Sequence, residues 1–271
     1  MRLKVIPRRI RAAAKLIRRE AAVFSRTRRR SRLTGSTSQE STALADVRRN
    51  GYAIVPEFWP REAALKMRDR LEAYLAEGVT RQFDNGAYVV FRDKSRKDDS
   101  DVRRIYHVER LVPELEDFRR EPLIFRVAAA YYGVPMHSGV LVFQHNPKTS
   151  TDTRYYHVDI WGREFKAFLY LDDVDQDNGP FTYLRGSHKL HLLRLKRMIL
   201  RGEHDTSMTR TELDSIMHRE VQIAGEAGTL ILADVSGIHR GLPQINRSRS
   251  ILANYVFDTP GDRFFEKSDS Q

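Results

Sequence analysis

The residues of this sequence best suited to chemistry are two histidines and an aspartate that could hold one metal ion. His157 and Asp159 stand two positions apart in a segment, YYHVDIW, that predicts a β-strand. Alternate side chains of a strand point to the same face of a sheet, so the imidazole and the carboxylate would face one ion together. His239 follows a second apolar run, TLILADV. Two histidines and one carboxylate, with coordination positions left open, form the ligand set of non-haem Fe(II) oxygenases.

An HxD pair alone is weak evidence for a metal site, because a histidine near an aspartate is often a surface pair. Further motifs are therefore needed to support the assignment. The chain adds a turn, NGP at 178–180, an element GSH at 186–188, and Arg249 ten residues after His239. With these motifs the sequence resembles the phytanoyl-CoA dioxygenase family of Fe(II)- and 2-oxoglutarate-dependent oxygenases, over roughly residues 42–257. If His157, Asp159 and His239 were unrelated polar residues, the presence of the NGP and GSH elements would have no explanation.

The resemblance implies a metal, two cosubstrates and a reaction. It implies that His157, Asp159 and His239 bind Fe(II), with 2-oxoglutarate and O2 as cosubstrates and ascorbate as an optional reductant. In the implied reaction 2-oxoglutarate is converted to succinate and CO2 while an unactivated C–H bond of the substrate is hydroxylated. Halogenating relatives carry a small residue in place of the carboxylate, so Asp159 favours a hydroxylase over a halogenase.

The resemblance also implies residues that bind 2-oxoglutarate. A planar guanidinium suits its distal carboxylate because it can donate two parallel hydrogen bonds. Arg249 stands at the family's position for this arginine, and Arg247, two residues earlier on the same face, remains the alternative. Phe168 occupies the place of an aromatic residue beside the cosubstrate. Lys166 is predicted to be either a second cation for the cosubstrate or a surface charge.

Substrate contacts are predicted among the residues that precede the metal-bearing histidine. Arg154 and Tyr156 are the candidates, and Tyr155 lies between them. A tyrosine beside a strand is more often part of the core than of a binding site, and this alternative stays open.

Many short strands framed by turns, with helices at the start, predict a mainly β protein with α additions. The core is expected to be a double-stranded β-helix, a cupin-like jelly roll braced by N-terminal helices. Residues 189–220 predict a helical insertion between the two metal-bearing strands. Its basic sequence favours either a lid that meets an anionic substrate or a brace with a solvated charged face. Residues 92–104 are charge-rich and predict an exposed loop over the site.

The length of 271 residues suits one domain with extensions. We expect an arm and linker at residues 1–40, a dioxygenase domain at 41–265 and a tail at 266–271. Cysteine is absent, which excludes disulfides and thiolate metal sites. A metal must therefore be held by histidine, aspartate or glutamate. No apolar stretch approaches the roughly 18 residues that would span a bilayer.

The net charge of +11 is concentrated in the N-terminal arm. Residues 1–32 hold 13 Lys/Arg and one acid, so that the rest of the chain carries a net charge of −1. Apolar residues of the arm recur at spacings of three and four, which predicts an amphipathic helix. Such a helix is typical of peripheral contact with an anionic membrane, of an organellar transit peptide, or of a brace with a solvated basic face. Nucleic-acid binding is disfavoured because the body offers no matching basic patch.

Three functions are compatible with these observations. The first is a dioxygenase that hydroxylates a small or lipid-linked anionic metabolite, at a membrane surface if the arm docks there. The second is a metal-dependent cupin-like enzyme of another class, against which Arg249 argues because such enzymes need no clamp for a cosubstrate carboxylate. The third is a non-catalytic binding protein that docks through its basic arm, against which the intact ligand set argues. A cytoplasmic location is expected, with membrane contact or organellar targeting left open.

Overall fold

The computed structural model describes residues 10–11, 14, 36–76, 78–91, 102–148, 155–159, 164–189, 199–200 and 206–260. The helices of this part are α1 (Ser38–Asn50), α2 (Arg61–Ala73), α3 (Leu115–Arg119), α4 (Pro122–Tyr132) and α5 (Arg210–Leu213). The strands are β1 (Tyr52–Val55), β2 (Arg81–Gln82), β3 (Tyr88–Phe91), β4 (Arg103–Tyr106), β5 (His137–Asn146), β6 (Tyr156–His157), β7 (Glu164–Tyr170), β8 (Phe181–Leu184), β9 (Ser207–Met208), β10 (Glu220–Ile223), β11 (Leu230–Asp234), β12 (His239–Gly241) and β13 (Arg249–Phe257).

The strands of the described residues form two antiparallel sheets. The larger has the order β1-β11-β7-β13-β5-β4-β3-β2, and the smaller has the order β10-β8-β12-β6-β9. From β7 onward the chain crosses repeatedly between the sheets, with β11 and β13 in the larger sheet and β12 in the smaller one. This topology is that of a jelly roll. The predicted mainly β fold with a double-stranded β-helix core is confirmed.

The larger sheet separates two apolar clusters, and its alternating side chains decide which residues reach each one. On β7, Phe165, Ala167 and Leu169 pack against the helices on the outer side. Phe168 and Tyr170 belong to the cluster between the sheets. This period of two is the geometry of a pleated strand. The helices therefore brace one face of the sheet, and the other face lines the interior where the site lies.

The first helix begins inside the segment predicted to be a linker. Thr37 is its N-cap, and the Thr37 side chain and Glu40 form a reciprocal capping box. Glu40 accepts a hydrogen bond from the Thr37 backbone N–H at 2.9 Å. A Ser/Thr-x-x-Glu sequence just before an apolar period is a helix start signal, and it outweighs the Ser/Thr/Gly composition here. The helical body thus starts at Ser38 rather than after residue 40.

Two further expectations about local structure were wrong. The predicted strand YYHVDIW is only two residues long within the described chain, because Val158 and Asp159 donate their backbone N–H groups to Thr206 and Val235 instead of continuing the ladder. The predicted exposed loop 92–104 ends in β4, where Arg104 is buried. Its residues 92–101 lie outside the described part.

Other predicted features fall largely outside the described residues. The amphipathic pattern of residues 1–32 is described only at positions 10, 11 and 14, and the tail at 266–271 is not described. The predicted insertion is described in part, including α5 and a following 3-10 helix at Asp214–Arg219. Among the described residues, no helix combines the length and the apolarity needed to cross a bilayer.

Candidate metal centre

The three predicted metal ligands lie together between the sheets. His157 on β6 and His239 on β12 are directly paired across the smaller sheet, and their ring centroids are 4.5 Å apart. Asp159 approaches both rings: its Oδ1 is 3.4 Å from His157 Nε2, and its Oδ2 is 3.6 Å from His239 Nε2. One ligand atom from each residue lies within 4.8 Å of the others. The three side chains could therefore hold a single ion.

Both imidazoles are oriented for metal binding by hydrogen bonds to the backbone. His157 Nδ1 lies 3.0 Å from the Tyr155 carbonyl oxygen, and His239 Nδ1 lies 2.9 Å from the Gly237 carbonyl oxygen. A carbonyl can only accept, so these contacts place the proton on Nδ1 and leave the Nε2 lone pair for a metal. Burial also lowers the pKa of His239, which favours its neutral, ligating form. The donor set fits a divalent ion such as iron.

Lys166 directly contacts Asp159, the carboxylate predicted to bind the metal. Its Nζ is 2.5 Å from Asp159 Oδ2 and 3.1 Å from Glu164 Oε1, and it lies 3.8 Å from the centroid of the Tyr255 ring. Burial opposes ionisation of Asp159, but the pKa of Asp159 is held well below its usual range, chiefly by the charge of Lys166. Lys166 is itself 6% exposed. The surface-charge alternative for this lysine is therefore wrong.

The GSH element fixes the segment that leads into His239. Ser187 Oγ accepts a hydrogen bond from the Ile238 backbone N–H at 2.7 Å. Tyr183 donates its hydroxyl to the Asp234 carbonyl at 2.7 Å, and a Cβ on Gly237 would lie 1.7 Å from that hydroxyl oxygen. Glycine is thus required for the close approach of these two segments. The residues before His239 are held from both sides, which sets the direction of its ring.

The NGP element shapes the turn before β8, the strand on which β12 pairs. Asn178 Nδ2 donates to the Asp173 carbonyl at 2.8 Å, and its Oδ1 accepts from the Asp175 N–H at 2.7 Å. Gly179 has a φ of 75°, a conformation that favours glycine. Pro180 O then accepts from the Leu242 N–H at 3.2 Å, just beyond β12. Both sequence motifs therefore act structurally, by seating the strand that carries His239.

Arg249 lies in the interior, whereas its alternative does not. It is the first residue of β13 and 4% exposed, on the same strand face as Ile251, which packs between the sheets. Burial lowers the pKa of Arg249, and the nearby Tyr170 and Asp172 offset this effect only in part. The Arg247 side chain is 52% exposed and pairs with Asp175. The geometry thus favours Arg249 over Arg247 as the cation that faces the site.

The Phe181 ring lies between Phe168 and the predicted metal ligand His239 and contacts both. The Phe168 ring centroid is 4.9 Å from that of Phe181, which is 5.4 Å from that of His239. Phe168 also lies on the interior face of β7, two residues from Lys166. Its position is compatible with the predicted place beside the cosubstrate.

Tyr156 turns away from the metal ligands, so its predicted contact with substrate is wrong. It packs on the rear face of the smaller sheet with Val158 and Met208, and its hydroxyl donates to Glu220. Burial, followed by the bond to Glu220, raises the pKa of Tyr156 to about 12. The alternation that places His157 in the site places its neighbour on the opposite face. Arg154, the other predicted substrate residue, lies outside the described chain.

A polar row on the interior face of the larger sheet was missed from the sequence. Arg104 Nε donates to Gln144 Oε1 at 3.1 Å, and Gln144 Nε2 donates to Asn146 Oδ1 at 2.8 Å. Asn146 is the cross-strand partner of Arg249, so the row ends beside the predicted cosubstrate arginine. An apolar row runs next to it through the register partners Phe168, Ala253, Val142 and Tyr106. The alternation of β5 contained this signal, but the assignment of residue 104 to a loop hid it.

Solved structures with the same fold carry iron or a related metal. The epimerase SnoN, in complex with Fe3+, alpha-ketoglutarate and nogalamycin RO, has a TM-score of 0.60 at 15% identity, covering 82% of this chain and 84% of its own. EctD from S. alaskensis with bound Fe has a TM-score of 0.59 at 16% identity, covering 83% and 79%. HygX from Streptomyces hygroscopicus, with nickel, 2-oxoglutarate and hygromycin B bound, has a TM-score of 0.57 at 14% identity, covering 83% and 88%. These likenesses establish the fold.

The sequence itself gives the family. No curated protein matches the chain. The profile of the phytanoyl-CoA dioxygenase (PhyH) family matches residues 47–251, well over half of its length. The chain therefore belongs to the phytanoyl-CoA dioxygenase family, and family and fold together indicate an Fe(II)- and 2-oxoglutarate-dependent oxygenase.

Proposed function

We propose that this chain hydroxylates a C–H bond of a small anionic molecule, with His157, Asp159 and His239 as the iron ligands. The observation that carries the proposal is the geometry of these three side chains, with both Nε2 atoms and the carboxylate converging within 4.8 Å. Iron and 2-oxoglutarate, when bound, supply the activation of O2. The protein supplies the ligand geometry, the orientation of the cosubstrate and an interior shielded from water.

The neighbouring side chains take separate roles in this proposal. Arg249 binds the distal carboxylate of 2-oxoglutarate, since a buried guanidinium beside an apolar strand face is suited to an anion that enters the interior. Phe168 packs against the carbon chain of the cosubstrate. Lys166 holds Asp159 Oδ2, which favours coordination through a single carboxylate oxygen. That arrangement leaves positions at the metal for 2-oxoglutarate and O2.

The presence of Asp159 supports hydroxylation, because the site has no small residue in place of its carboxylate to make room for a halide. The fold alone does not decide the outcome, since SnoN is described as an epimerase. Isotope labelling separates the alternatives. A hydroxylase places one atom of labelled O2 in the product and the other in succinate, whereas an epimerase returns a product of unchanged composition.

The interior rows of the larger sheet support a small anionic substrate. Arg104 supplies a buried positive charge, and its bond to Gln144 fixes the plane of the guanidinium. Tyr88 and Tyr106 stack at 4.7 Å beside it and offer an apolar wall. A molecule with a carboxylate or phosphate and a compact apolar part would match this face. The basic sequence of residues 1–32 supports docking of this domain on an anionic membrane that holds a lipid-linked substrate.

The test begins with succinate production from 2-oxoglutarate by the Fe(II)-loaded chain, with a panel of small carboxylates and phosphates. Hydroxylation would be supported if one of these compounds stimulates succinate production and, under 18O2, yields a product about 18 mass units heavier than the compound itself. This increment corresponds to replacement of one hydrogen by a labelled hydroxyl group. His157→Ala is expected to abolish turnover, while Arg247→Met retains it. Turnover that leaves the substrate without labelled oxygen would refute the hydroxylase.

Membrane docking has its own test. The full chain and a chain lacking residues 1–32 are sedimented with vesicles of phosphatidylserine and phosphatidylcholine or of phosphatidylcholine alone. We expect only the full chain to bind, only to the anionic vesicles, and less at high salt because surface charges are screened. Equal binding by both chains would refute docking through the arm.

A further inference from the structure

The strand that carries His157 is held in the smaller sheet by very little backbone pairing. β6 has two residues, and it shares one register pair with β12, between His157 and His239. On its other side it pairs with β9, which is also two residues long. β12, by contrast, pairs with β8 at three positions. Of the two histidines, His157 thus has the shorter ladder within the sheet, although Val158 and Asp159 add backbone bonds to Thr206 and Val235 just beyond it.

Further contacts come from the residues next to the two histidines, on the rear face of the sheet. Tyr156 precedes His157, and Arg240 follows His239, so the antiparallel register places them opposite each other. The Arg240 guanidinium lies 4.4 Å from the centroid of the Tyr156 ring. The Tyr156 hydroxyl reaches past it and donates to Glu220 on β10, a strand that is three places away from β6 in the sheet. We name Tyr156, Arg240 and Glu220 the rear clamp.

The burial of the rear clamp gives these contacts strength. Tyr156 is 2% exposed and Arg240 is 9% exposed. A cation over an aromatic face is attracted more strongly when both are desolvated. A charge-assisted hydrogen bond, such as the one from Tyr156 to Glu220, is also stronger than a neutral one. Arg240 is anchored through the β12–β8 pairing, so the clamp ties β6 to the well-paired part of the sheet.

We propose that the rear clamp positions His157 opposite His239 and thereby sets the geometry of the metal site. Alternation along β6 and β12 links the two faces, because a shift of the backbone at Tyr156 relative to Arg240 also shifts the adjacent His157 relative to His239. None of the three clamp residues faces the metal ligands. They act through the backbone, and the inference rests on the proposed metal centre.

The experiment measures Mn(II) affinity by calorimetry under anaerobic conditions, together with the thermal midpoint of each metal-free variant. Tyr156→Leu and Arg240→Met break the contact between ring and cation, and Tyr156→Phe retains it while removing the bond to Glu220. We expect the first two to weaken Mn(II) binding about tenfold or more, a typical effect of residues that orient ligands. Tyr156→Phe is expected to fall between the parent and these two variants, since it keeps the ring contact with Arg240 and loses the bond to Glu220.

Arg81→Met is the matched control, because Arg81 also lies over an aromatic ring, that of Phe83 at 4.5 Å, but on the edge strand β2 of the other sheet. It is expected to leave Mn(II) affinity unchanged. The double variant Tyr156→Leu, Arg240→Met is expected to lose no more affinity than either single variant, because the two residues act as one unit. If Tyr156→Leu fails to fold, the Mn(II) affinities of Arg240→Met and Arg240→Lys are compared with that of the parent instead.

The visible spectrum of the Co(II)-loaded variants gives a second reading, since its intensity follows the ligand geometry. Parent-like Mn(II) affinity in Tyr156→Leu and Arg240→Met, with only a lower thermal midpoint, would overturn the proposal and reduce the clamp to a packing contact. Failure of the folded parent to bind Mn(II) would refute the proposed metal centre itself. The two failures are therefore distinguishable.

Discussion

Replacing Arg249 by methionine tests how the site binds its cosubstrate. Arg249 is 4% exposed, so the bonds it makes to a bound carboxylate are formed away from water. A hydrogen bond to a charged group contributes about 1.5–3 kcal/mol, and a bidentate pair about twice that. Since about 1.4 kcal/mol corresponds to a tenfold change, we expect the affinity for 2-oxoglutarate to fall by at least about 100-fold.

The assay is calorimetric titration of the Mn(II)-loaded chain with 2-oxoglutarate. Arg247→Met is the control, because Arg247 is half-exposed, pairs with Asp175 and lies two residues from Arg249. It is expected to bind 2-oxoglutarate like the parent. Arg249→Lys keeps the charge without the planar fork and is expected to fall between the parent and Arg249→Met.

The stability of Arg249→Met separates a binding role from a structural one. Burial lowers the pKa of Arg249, which means that the interior disfavours its charged form. Removing this charge relieves the desolvation cost of burying it. We therefore expect an unchanged or higher thermal midpoint. Parent-like affinity for 2-oxoglutarate in folded Arg249→Met would show that Arg249 does not bind the cosubstrate carboxylate.

Three further substitutions test how the fold supports the site. Gly237→Ala would place a Cβ 1.7 Å from the Tyr183 hydroxyl oxygen, so we expect lower stability and weaker Mn(II) binding in the same variant, measured by thermal melts and calorimetry. Leu252→Ala removes a fully buried side chain and is expected to lower the free energy of unfolding in urea by about 2–5 kcal/mol. Arg61 holds the pKa of Asp173 at about 2, so ionised Asp173 stabilises the fold above its unfolded pKa of about 3.9, and this contribution falls as the pH approaches 2. The melting-temperature difference between parent and Asp173→Asn should therefore narrow between pH 5 and pH 3, and a constant difference would contradict the assignment.

The local features of the sequence predicted much of the fold because they carry their own signals. β1, Tyr52–Val55, is such a case, since a short apolar run with aromatic and β-branched residues between turns favours a strand. The candidate metal ligands could be picked out from the sequence because an HxD pair and a late histidine meet specific chemical requirements, and the structure brings the three side chains together. Thr37 shows the opposite case, in which composition suggested a linker while the spacing to Glu40 specified a helix start.

The features that escaped prediction depend on register between distant strands. Arg104 became a site-facing residue because β4 pairs with β5, forty residues later, and no local pattern fixes that pairing. Lys166 could be recognised as a candidate cation, but its contact with Asp159 depends on how the two sheets pack. Tyr156 is different, since alternation from His157 already indicated the rear face.

The most direct test of the central claim is an anaerobic titration of the folded chain with Fe(II) and then 2-oxoglutarate, monitored in the visible region. Chelation of 2-oxoglutarate at Fe(II) produces a weak charge-transfer band. We expect this band in the parent and its loss in folded His157→Ala. An iron-loaded, folded parent that shows no band on addition of 2-oxoglutarate would contradict the account.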